Sequence, residues 1–220
     1  MRKLPSFSAI IFDMDGLVLD TEATYCIAWQ KAAEEMGREF STGFCLSMSG
    51  LHAHDVKQKL IRQCGADFDL TLFGRLSSQY WREYVNQFGI QVKKGFFVLL
   101  EVLRLQNIPF CLATNSRQDN AQECLQLARL EGVFPIVICR DQVKQGKPAA
   151  DIFLLAAETL MLPVSQCLVV EDSATGIQAA VNAEAPSVFI PSVLPCDEVA
   201  SRQASYQLND LGELAQIILG

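Results

Sequence analysis

The chain has 220 residues, of which 50% are apolar, and it carries a formal net charge of −7 with a pI near 4.9. This length and composition predict a globular protein with a sizeable core, as one large domain or as a core with a small insert. The acidic balance, with no concentration of Lys and Arg, excludes an extended nucleic-acid surface.

The first apolar run, Ala9–Phe12, predicts a buried strand. The next stretch, from about residue 20 to 92, changes to helical periodicity. Its predicted helices are Glu22–Met36, Ala53–Cys64 and Leu70–Phe88. We therefore expect a small all-helical cap, residues 20–92, inserted after the first strand.

From residue 93 onward, strand and helix patterns alternate. The predicted strands are Pro109–Ala113, Val133–Cys139, Cys167–Val170 and Ser187–Ile190, and the predicted helices are Phe96–Leu105, Asp119–Leu130, Ala150–Leu160 and Ala174–Ala183. Such alternation predicts an α/β fold with a doubly wound parallel sheet. Residues 1–19 and 93–220 should together form this Rossmann-like core.

The eight cysteines occur singly, with no C-x-x-C pair, and several lie inside apolar runs. Reduced cysteine behaves there as a small buried hydrophobe, so we expect a cytoplasmic protein. No run reaches the roughly 18 apolar residues of a membrane span, so no membrane partner is expected.

Two pairs of carboxylates follow predicted strands. Asp13 and Asp15 lie at the end of the first strand, and Glu171 and Asp172 follow the apolar run 168–170. Because ligands of open parallel sheets bind at the carboxyl edge, all four should meet there. Clustered like charges need a compensating cation or substrate, and Mg²⁺ prefers such oxygen ligands. The ordinary alternative is that Asp172 caps a helix while Glu171 is solvated.

Three polar residues, Thr114, Asn115 and Ser116, follow the next strand of the core. Hydroxyls and backbone N–H groups at the start of a helix can form a phosphate cradle. The alternative is that these residues only cap the helix that begins near Gln118, because Thr, Asn and Ser are common helix caps.

Lys147 lies in the turn-like segment 145–148, before a predicted helix. The segment is not a Walker loop, because Asp141 stands where that pattern needs Gly. Taken alone, a lysine in such a turn is typical of the protein surface.

In this order, the four groups resemble the haloacid dehalogenase superfamily, in its phosphatase and β-phosphoglucomutase-like branch with a helical cap. The resemblance covers essentially the whole chain, and four motifs in register with the strand pattern are highly specific. The motifs are Asp13-Met14-Asp15-Gly16, Thr114-Asn115-Ser116, Gly146-Lys147-Pro148 and Val170-Glu171-Asp172-Ser173.

The resemblance implies a role for each candidate residue. Asp13 is implied as the nucleophile that attacks phosphorus, and Asp15 as the acid/base that protonates the leaving group and then activates water. The implied phosphate-binding residues are Thr114, Asn115 and Lys147. The implied ligands of Mg²⁺ are Asp13, Asp15, Glu171 and Asp172, with Asp15 contributing its backbone carbonyl.

Two departures from the branch bear on the reaction. Ala53 stands where a mutase-type cap has a phosphate-gripping Arg, and Tyr25 stands where it has a His. We therefore expect a Mg²⁺-dependent phosphatase that acts on a small phosphorylated metabolite as a monomer or weak dimer. The alternatives are a β-phosphoglucomutase-like isomerase and a non-catalytic module that binds a phosphorylated metabolite.

Overall fold

The computed structural model describes residues 4–48, 53–193 and 195–220, and the side chains of residues 53 and 54 also lie outside the described part. The chain divides into two compact units. An α/β unit is formed by Met1–Leu19 and Gln91–Gly220, and a helical unit by Asp20–Ile90. That the helical unit serves as a cap stays a prediction.

The α/β unit is built on a parallel six-stranded sheet with the order β3-β2-β1-β4-β5-β6. The strands are β1 Ala9–Phe12, β2 Phe110–Ala113, β3 Val137–Ile138, β4 Cys167–Glu171, β5 Ser187–Phe189 and β6 Tyr206–Gln207. The order reverses between β1 and β4, which is where ligands of doubly wound sheets bind. The predicted α/β, Rossmann-like fold is confirmed.

Ten helices are present in the described residues, four in the helical unit and six in the α/β unit. They are α1 Thr21–Glu35, α2 Thr42–Leu46, α3 Ala53–Cys64, α4 Leu70–Phe88, α5 Phe96–Leu105, α6 Gln118–Leu127, α7 Asp151–Thr159, α8 Ala174–Asn182, α9 Glu198–Gln203 and α10 Leu211–Leu219. None of the helices in the described residues is long and apolar enough to cross a membrane.

One face of the sheet packs against α7 and α8. Ile11 lies between its register partners Cys111 and Val169, and all three side chains are fully buried in one core cluster. Phe153 of α7 and Ala179 of α8 belong to the same cluster. Because helices also cover the other face, β1 is apolar along its whole length and does not alternate.

The opposite face carries an aromatic cluster around Phe12, the last residue of β1. Its ring meets those of Phe96, Phe110 and Phe134 edge-on, with centroids 6.1 to 6.3 Å apart. Edge-to-face pairs of this kind contribute about 0.5–1.5 kcal/mol each beyond the burial of their area. The end of β1, and with it the next residue, Asp13, is therefore fixed by packing.

The helical unit has a core of its own, formed mainly between α1, α2 and α4. Trp81 of α4 donates its indole N–H to the hydroxyl of Thr24 at 3.0 Å, and Tyr25 stacks on the same indole with centroids 5.6 Å apart. Two helices begin at capping side chains, since Ser41 accepts from the first turn of α2 and Asp69 from that of α4.

The structure corrects the predicted elements in two ways. The strand expected over Val133–Cys139 covers only Val137–Ile138, because Pro135 has no N–H to give to a sheet ladder. The short helix α2, the last helices α9 and α10, and the short edge strand β6 were not predicted. All eight cysteines are free thiols, six of them buried.

Candidate active site

Three neighbouring strands place the predicted residues at one edge of the sheet. Asp13 directly follows β1, Thr114 directly follows β2, and Glu171 ends β4. Backbone hydrogen bonds fix the residues that follow the strands. The N–H of Asp13 donates to the carbonyl of Val170 at 3.0 Å, and the N–H of Thr114 donates to the carbonyl of Ile138 at 2.9 Å. Since β1 lies between β2 and β4, the carboxyl ends of these three strands are neighbours.

Lys147 reaches this edge from the loop between β3 and α7, and it is only 4% exposed. Its ammonium group forms an ion pair with Asp13, donates to Glu171 Oε1 at 2.6 Å and donates to the carbonyl of Ala113 at 2.9 Å. An ammonium group has three protons, so these contacts use its whole donor capacity. The alternative of a surface lysine is therefore wrong.

The electrostatics of Lys147 favour its charged form. Burial lowers the pKa of the ammonium group, but the negative charges of Asp13 and Glu171 outweigh burial and raise the pKa well above its ordinary value. Lys147 is therefore a permanent cation in this site at neutral pH.

The carboxyl group of Asp13, 7% exposed, experiences opposing influences. Burial has the largest effect and raises the pKa of Asp13. The positive charge of Lys147 lowers this pKa, whereas the negative charges of Glu171 and Asp15 raise it further. The net direction is upward. A positive charge placed near Asp13 would therefore favour the ionised form that a nucleophile requires.

Glu171 is fully buried, and both of its carboxylate oxygens are occupied. Oε1 accepts from Lys147, while Oε2 accepts from the N–H groups of Asp172 and Ser173 and from the Ser173 hydroxyl at 3.0 to 3.2 Å. The cap of α8 is Ser173, which accepts from the N–H of Gly176. The alternative in which Asp172 caps this helix and Glu171 is solvated is therefore wrong.

Gly176 explains how a helix can pass so close to this buried carboxylate. A Cβ atom built at position 176 would collide with the carboxylate of Glu171. The absence of a side chain therefore lets the first turn of α8 lie against the acid.

Asp13, Glu171 and Asp172 form a buried group that could hold a metal ion. Each offers one carboxylate oxygen, and these oxygens lie within 4.8 Å of one another. Carboxylate oxygens suit Mg²⁺ rather than the Cys and His ligands typical of Zn²⁺, so the donor set fits the predicted metal. The carboxylate of Asp15 does not belong to this group, and its predicted contribution through the backbone carbonyl stays a prediction.

Asp15 lies next to the loop that follows β2. Its carboxylate accepts from the hydroxyl of Ser116 at 2.9 Å and from that of Thr114 at 3.3 Å. Neither residue caps α6, because the first N–H of that helix, at Gln118, donates to Asp141 instead. The capping alternative for these residues is therefore wrong.

Asn115 turns its side chain toward the Lys147 loop. Its amide oxygen accepts from the N–H of Lys147 at 2.8 Å, and its amide nitrogen donates to the carbonyl of Lys147 at 3.1 Å. Both ends of the Asn115 amide therefore contact the backbone of a residue 32 positions later.

The contacts of three serines at the site were not predicted. Ser116 was considered only as part of a phosphate cradle or a helix cap, Ser173 was named only within a motif, and Ser192 was not named. Ser116 binds Asp15, Ser173 binds Glu171, and the hydroxyl of Ser192 lies beside the turn at Gly16. Ser173 could have been found, because a serine that precedes an apolar helical pattern is a helix-capping signal. Nothing in the sequence around Ser192 indicates its position.

Comparisons with known proteins agree with this architecture. The family model for haloacid dehalogenase-like hydrolases matches residues 10–190. A phosphorylated carbohydrates phosphatase of Thermotoga maritima is 29% identical over 82% of this chain and 83% of its own. The fructose-1-phosphate phosphatase YqaB of Escherichia coli is 30% identical over 79% of this chain and 91% of its own.

A solved structure extends the agreement to three dimensions. A haloacid dehalogenase hydrolase of Entamoeba histolytica, described as family IA, variant 3, superposes with a TM-score of 0.77. It is 26% identical, and the match covers 97% of this chain and 100% of the other.

Proposed function

The chain belongs to the haloacid dehalogenase-like hydrolase family, and we propose that it is a Mg²⁺-dependent phosphatase that acts through an aspartyl-phosphate. Its substrate is a small phosphorylated metabolite. Relatives named for the hydrolysis of phosphorylated carbohydrates and fructose 1-phosphate support this substrate class.

The observation that carries the proposal is the ion pair between Asp13 and Lys147 beside the buried acidic group. A nucleophilic carboxylate must remain ionised while a phosphate dianion approaches, and four carboxylates at one edge would otherwise repel that dianion. Phosphoryl transfer asks the protein for positioning and charge neutralisation, and this arrangement offers both.

In the first half of the reaction, a carboxylate oxygen of Asp13 attacks phosphorus. The bond between phosphorus and the leaving oxygen breaks, and Asp15 gives its proton to that oxygen. The products are the free alcohol and an acyl phosphate on Asp13. The hydroxyl of Ser116 holds the Asp15 carboxylate near this point.

In the second half, Asp15 accepts a proton from a water molecule whose oxygen attacks phosphorus. The bond between phosphorus and the Asp13 oxygen breaks, which releases inorganic phosphate and restores both carboxyl groups to their starting states. One water molecule is consumed in each cycle.

Three residues receive the phosphate in this proposal. Thr114 offers its hydroxyl, Asn115 its backbone N–H, and Lys147 its charge. The metal would be held by Asp13, Glu171 and Asp172 together with the backbone carbonyl of Asp15. When bound, it supplies positive charge for the phosphate oxygens.

We propose hydrolysis rather than isomerisation because of the residue at the start of α3. A mutase must grip a bisphosphorylated intermediate at both ends, which requires a second cationic phosphate site. Ala53 stands at the corresponding position of this chain. The side chain of Ala53 lies outside the described part of the chain, and alanine carries no charge that could bind a second phosphate.

The test is a panel of phosphate monoesters incubated with purified protein, with Mg²⁺ or with chelator. We expect phosphate release in Mg²⁺, none in chelator, and poor activity in Ca²⁺, whose looser coordination misplaces the nucleophile. Phosphate release by protein shown to be metal-free would contradict the metal role. Failure to hydrolyse any monoester would favour a binding module.

A second incubation separates hydrolysis from isomerisation. The protein is mixed with β-glucose 1-phosphate, Mg²⁺ and a trace of the bisphosphate, and both inorganic phosphate and glucose 6-phosphate are followed. Rapid formation of glucose 6-phosphate with little phosphate release would overturn the hydrolase proposal.

A further inference from the structure

We propose that the Asn115 side chain is a positioning residue for Lys147, which it holds by both polar groups of the Lys147 backbone. The inference rests on the proposed function, because it assigns Lys147 a part in phosphoryl transfer. It separates two roles of Asn115, whose backbone N–H faces phosphate in the proposed function and whose side chain acts through Lys147.

The first support is the pairing itself. The amide oxygen of Asn115 accepts from the N–H of Lys147 at 2.8 Å, and its amide nitrogen donates to the Lys147 carbonyl at 3.1 Å. A primary amide that pairs with the N–H and the carbonyl of one residue fixes the orientation of that residue as well as its distance. The backbone of Lys147 is in this way held against a residue that lies two positions after the end of β2.

The second support is the space around the pair. A Cβ atom at Gly146 would collide with the amide oxygen of Asn115 and with the side chain of Arg140. Arg140 in turn donates to the carbonyls of Val143 at 2.9 Å and Lys144 at 3.3 Å. The loop is thus folded against Asn115, with a glycine at the point of closest approach.

The third support is the geometry that Lys147 must keep. Its ammonium group contacts Asp13, Glu171 and the carbonyl of Ala113 together. The backbone of Lys147 has to stay fixed for all three contacts to persist. A displacement of about 1 Å in a catalytic group can cost about 100-fold in rate.

Asn115 is exposed, so water can replace its two bonds at little cost in folding stability. Losing them should therefore change the position of Lys147 more than the stability of the protein. The chain offers a matched control, because Asn182 donates to the carbonyl of the next residue, Pro148, at 2.8 Å from outside the site. Both asparagine side chains form hydrogen bonds with the backbone of this loop. Asn115 bonds the backbone of Lys147, whereas Asn182 bonds that of Pro148.

The experiment compares Asn115→Ala and Asn182→Ala with the unaltered protein. Hydrolysis of 4-nitrophenyl phosphate in Mg²⁺ gives kcat and KM, and urea unfolding gives the folded fraction. Hydrogen exchange at the Lys147 amide, followed by nuclear magnetic resonance, reports the bond to Asn115 without any reference to activity.

For Asn115→Ala we expect kcat to fall about 10- to 100-fold, KM to change by less than about threefold, and exchange at the Lys147 amide to accelerate about 10-fold or more. For Asn182→Ala we expect kcat within about twofold of the unaltered protein. A raised KM with unchanged kcat would overturn the inference, because the side chain would then be a direct phosphate ligand. Equal losses of kcat in both variants would also overturn it, because the effect would then come from general loop stability.

Gly146→Ala gives an independent test if Asn115→Ala does not fold. The added Cβ atom collides with the amide oxygen of Asn115. The substitution should therefore lower kcat and accelerate hydrogen exchange at the Lys147 amide. Unchanged kcat and unchanged exchange would overturn the inference. If the unaltered protein hydrolyses no monoester, the proposed function fails, and exchange at the Lys147 amide alone then decides whether Asn115 holds the loop.

Discussion

Replacement of Lys147 by Met tests the electrostatic core of the site most sharply. Met keeps most of the apolar stem but removes the charge, which lies 5.0 Å from the centre of the Phe153 ring. Asp13 and Glu171 then stay buried beside each other without their cation. The replacement therefore removes the charge and the three hydrogen bonds of the ammonium group, and it changes the apolar packing little.

The magnitude follows from the buried contacts that are lost. Removing one partner of a buried ion pair costs about 3–5 kcal/mol, because the remaining charge is uncompensated. Here one ammonium group serves two carboxylates, so we expect a loss of unfolding free energy in that range at pH 8. A domain of this kind has about 5–15 kcal/mol of stability, so the variant should still fold.

The loss should depend on pH, with a definite sign. The folded pKa of Lys147 is raised above its ordinary value, so its contribution is fully present at pH 5 and at pH 8. Without Lys147, burial raises the pKa of Asp13 with no opposing cation, and a carboxyl group with a raised folded pKa destabilises the protein as pH increases. The variant should therefore lose more stability at pH 8 than at pH 5.

The assay is urea unfolding followed by far-ultraviolet circular dichroism, in chelator, because a bound metal would compensate for the missing charge. Lys144→Met is the control, since it removes an exposed positive charge from the same loop. Equal stability of Lys147→Met and Lys144→Met, or a larger loss at pH 5 than at pH 8, would refute the reasoning. In Mg²⁺, Lys147→Met should lower kcat by comparable factors for all substrates, and a substrate-selective defect would place Lys147 in specificity.

Three further predictions concern other parts of the protein. Asp15→Asn should slow hydrolysis of alkyl phosphates far more than that of 4-nitrophenyl phosphate, whose leaving group needs little proton donation; equal losses would contradict its role as an acid. Gly176→Ala should lower the unfolding free energy by about 1–3 kcal/mol, because its Cβ collides with the buried carboxylate beneath α8; an unchanged urea midpoint would contradict this. A thiol reagent at pH 7 should label the half-buried Cys64 and Cys196 before the six buried thiols, and faster labelling of a third would contradict the packing.

Much of the fold could be predicted because the strongest patterns are local. The helices α3, Ala53–Cys64, and α4, Leu70–Phe88, have the predicted bounds. The strand β6 has only two residues, Tyr206–Gln207, and exists because it pairs with β5. No local pattern of two residues can indicate such a pairing.

The site could be predicted as a set of residues at one sheet edge, because parallel strands bring their carboxyl ends together. Its contacts could not. The pair of bonds between Asn115 and Lys147 depends on the path of the loop that carries Lys147, 32 positions further along the chain. The hydrogen bond from Ser116 to Asp15 likewise depends on how two loops lie against each other. The identities of the two residues do not indicate the distance between their side chains.

The central claim is that catalysis passes through a phosphoryl group on Asp13, and chemical trapping tests it most directly. The protein is mixed with Mg²⁺ and a phosphate monoester that it hydrolyses, and the reaction is quenched within milliseconds. The quenched protein is then reduced with borohydride, which converts an aspartyl-phosphate into homoserine. Peptide mass spectrometry should find homoserine at position 13, and none there without substrate or in Asp13→Asn. Homoserine at any other aspartate, or none at all while phosphate is being released, would contradict the account.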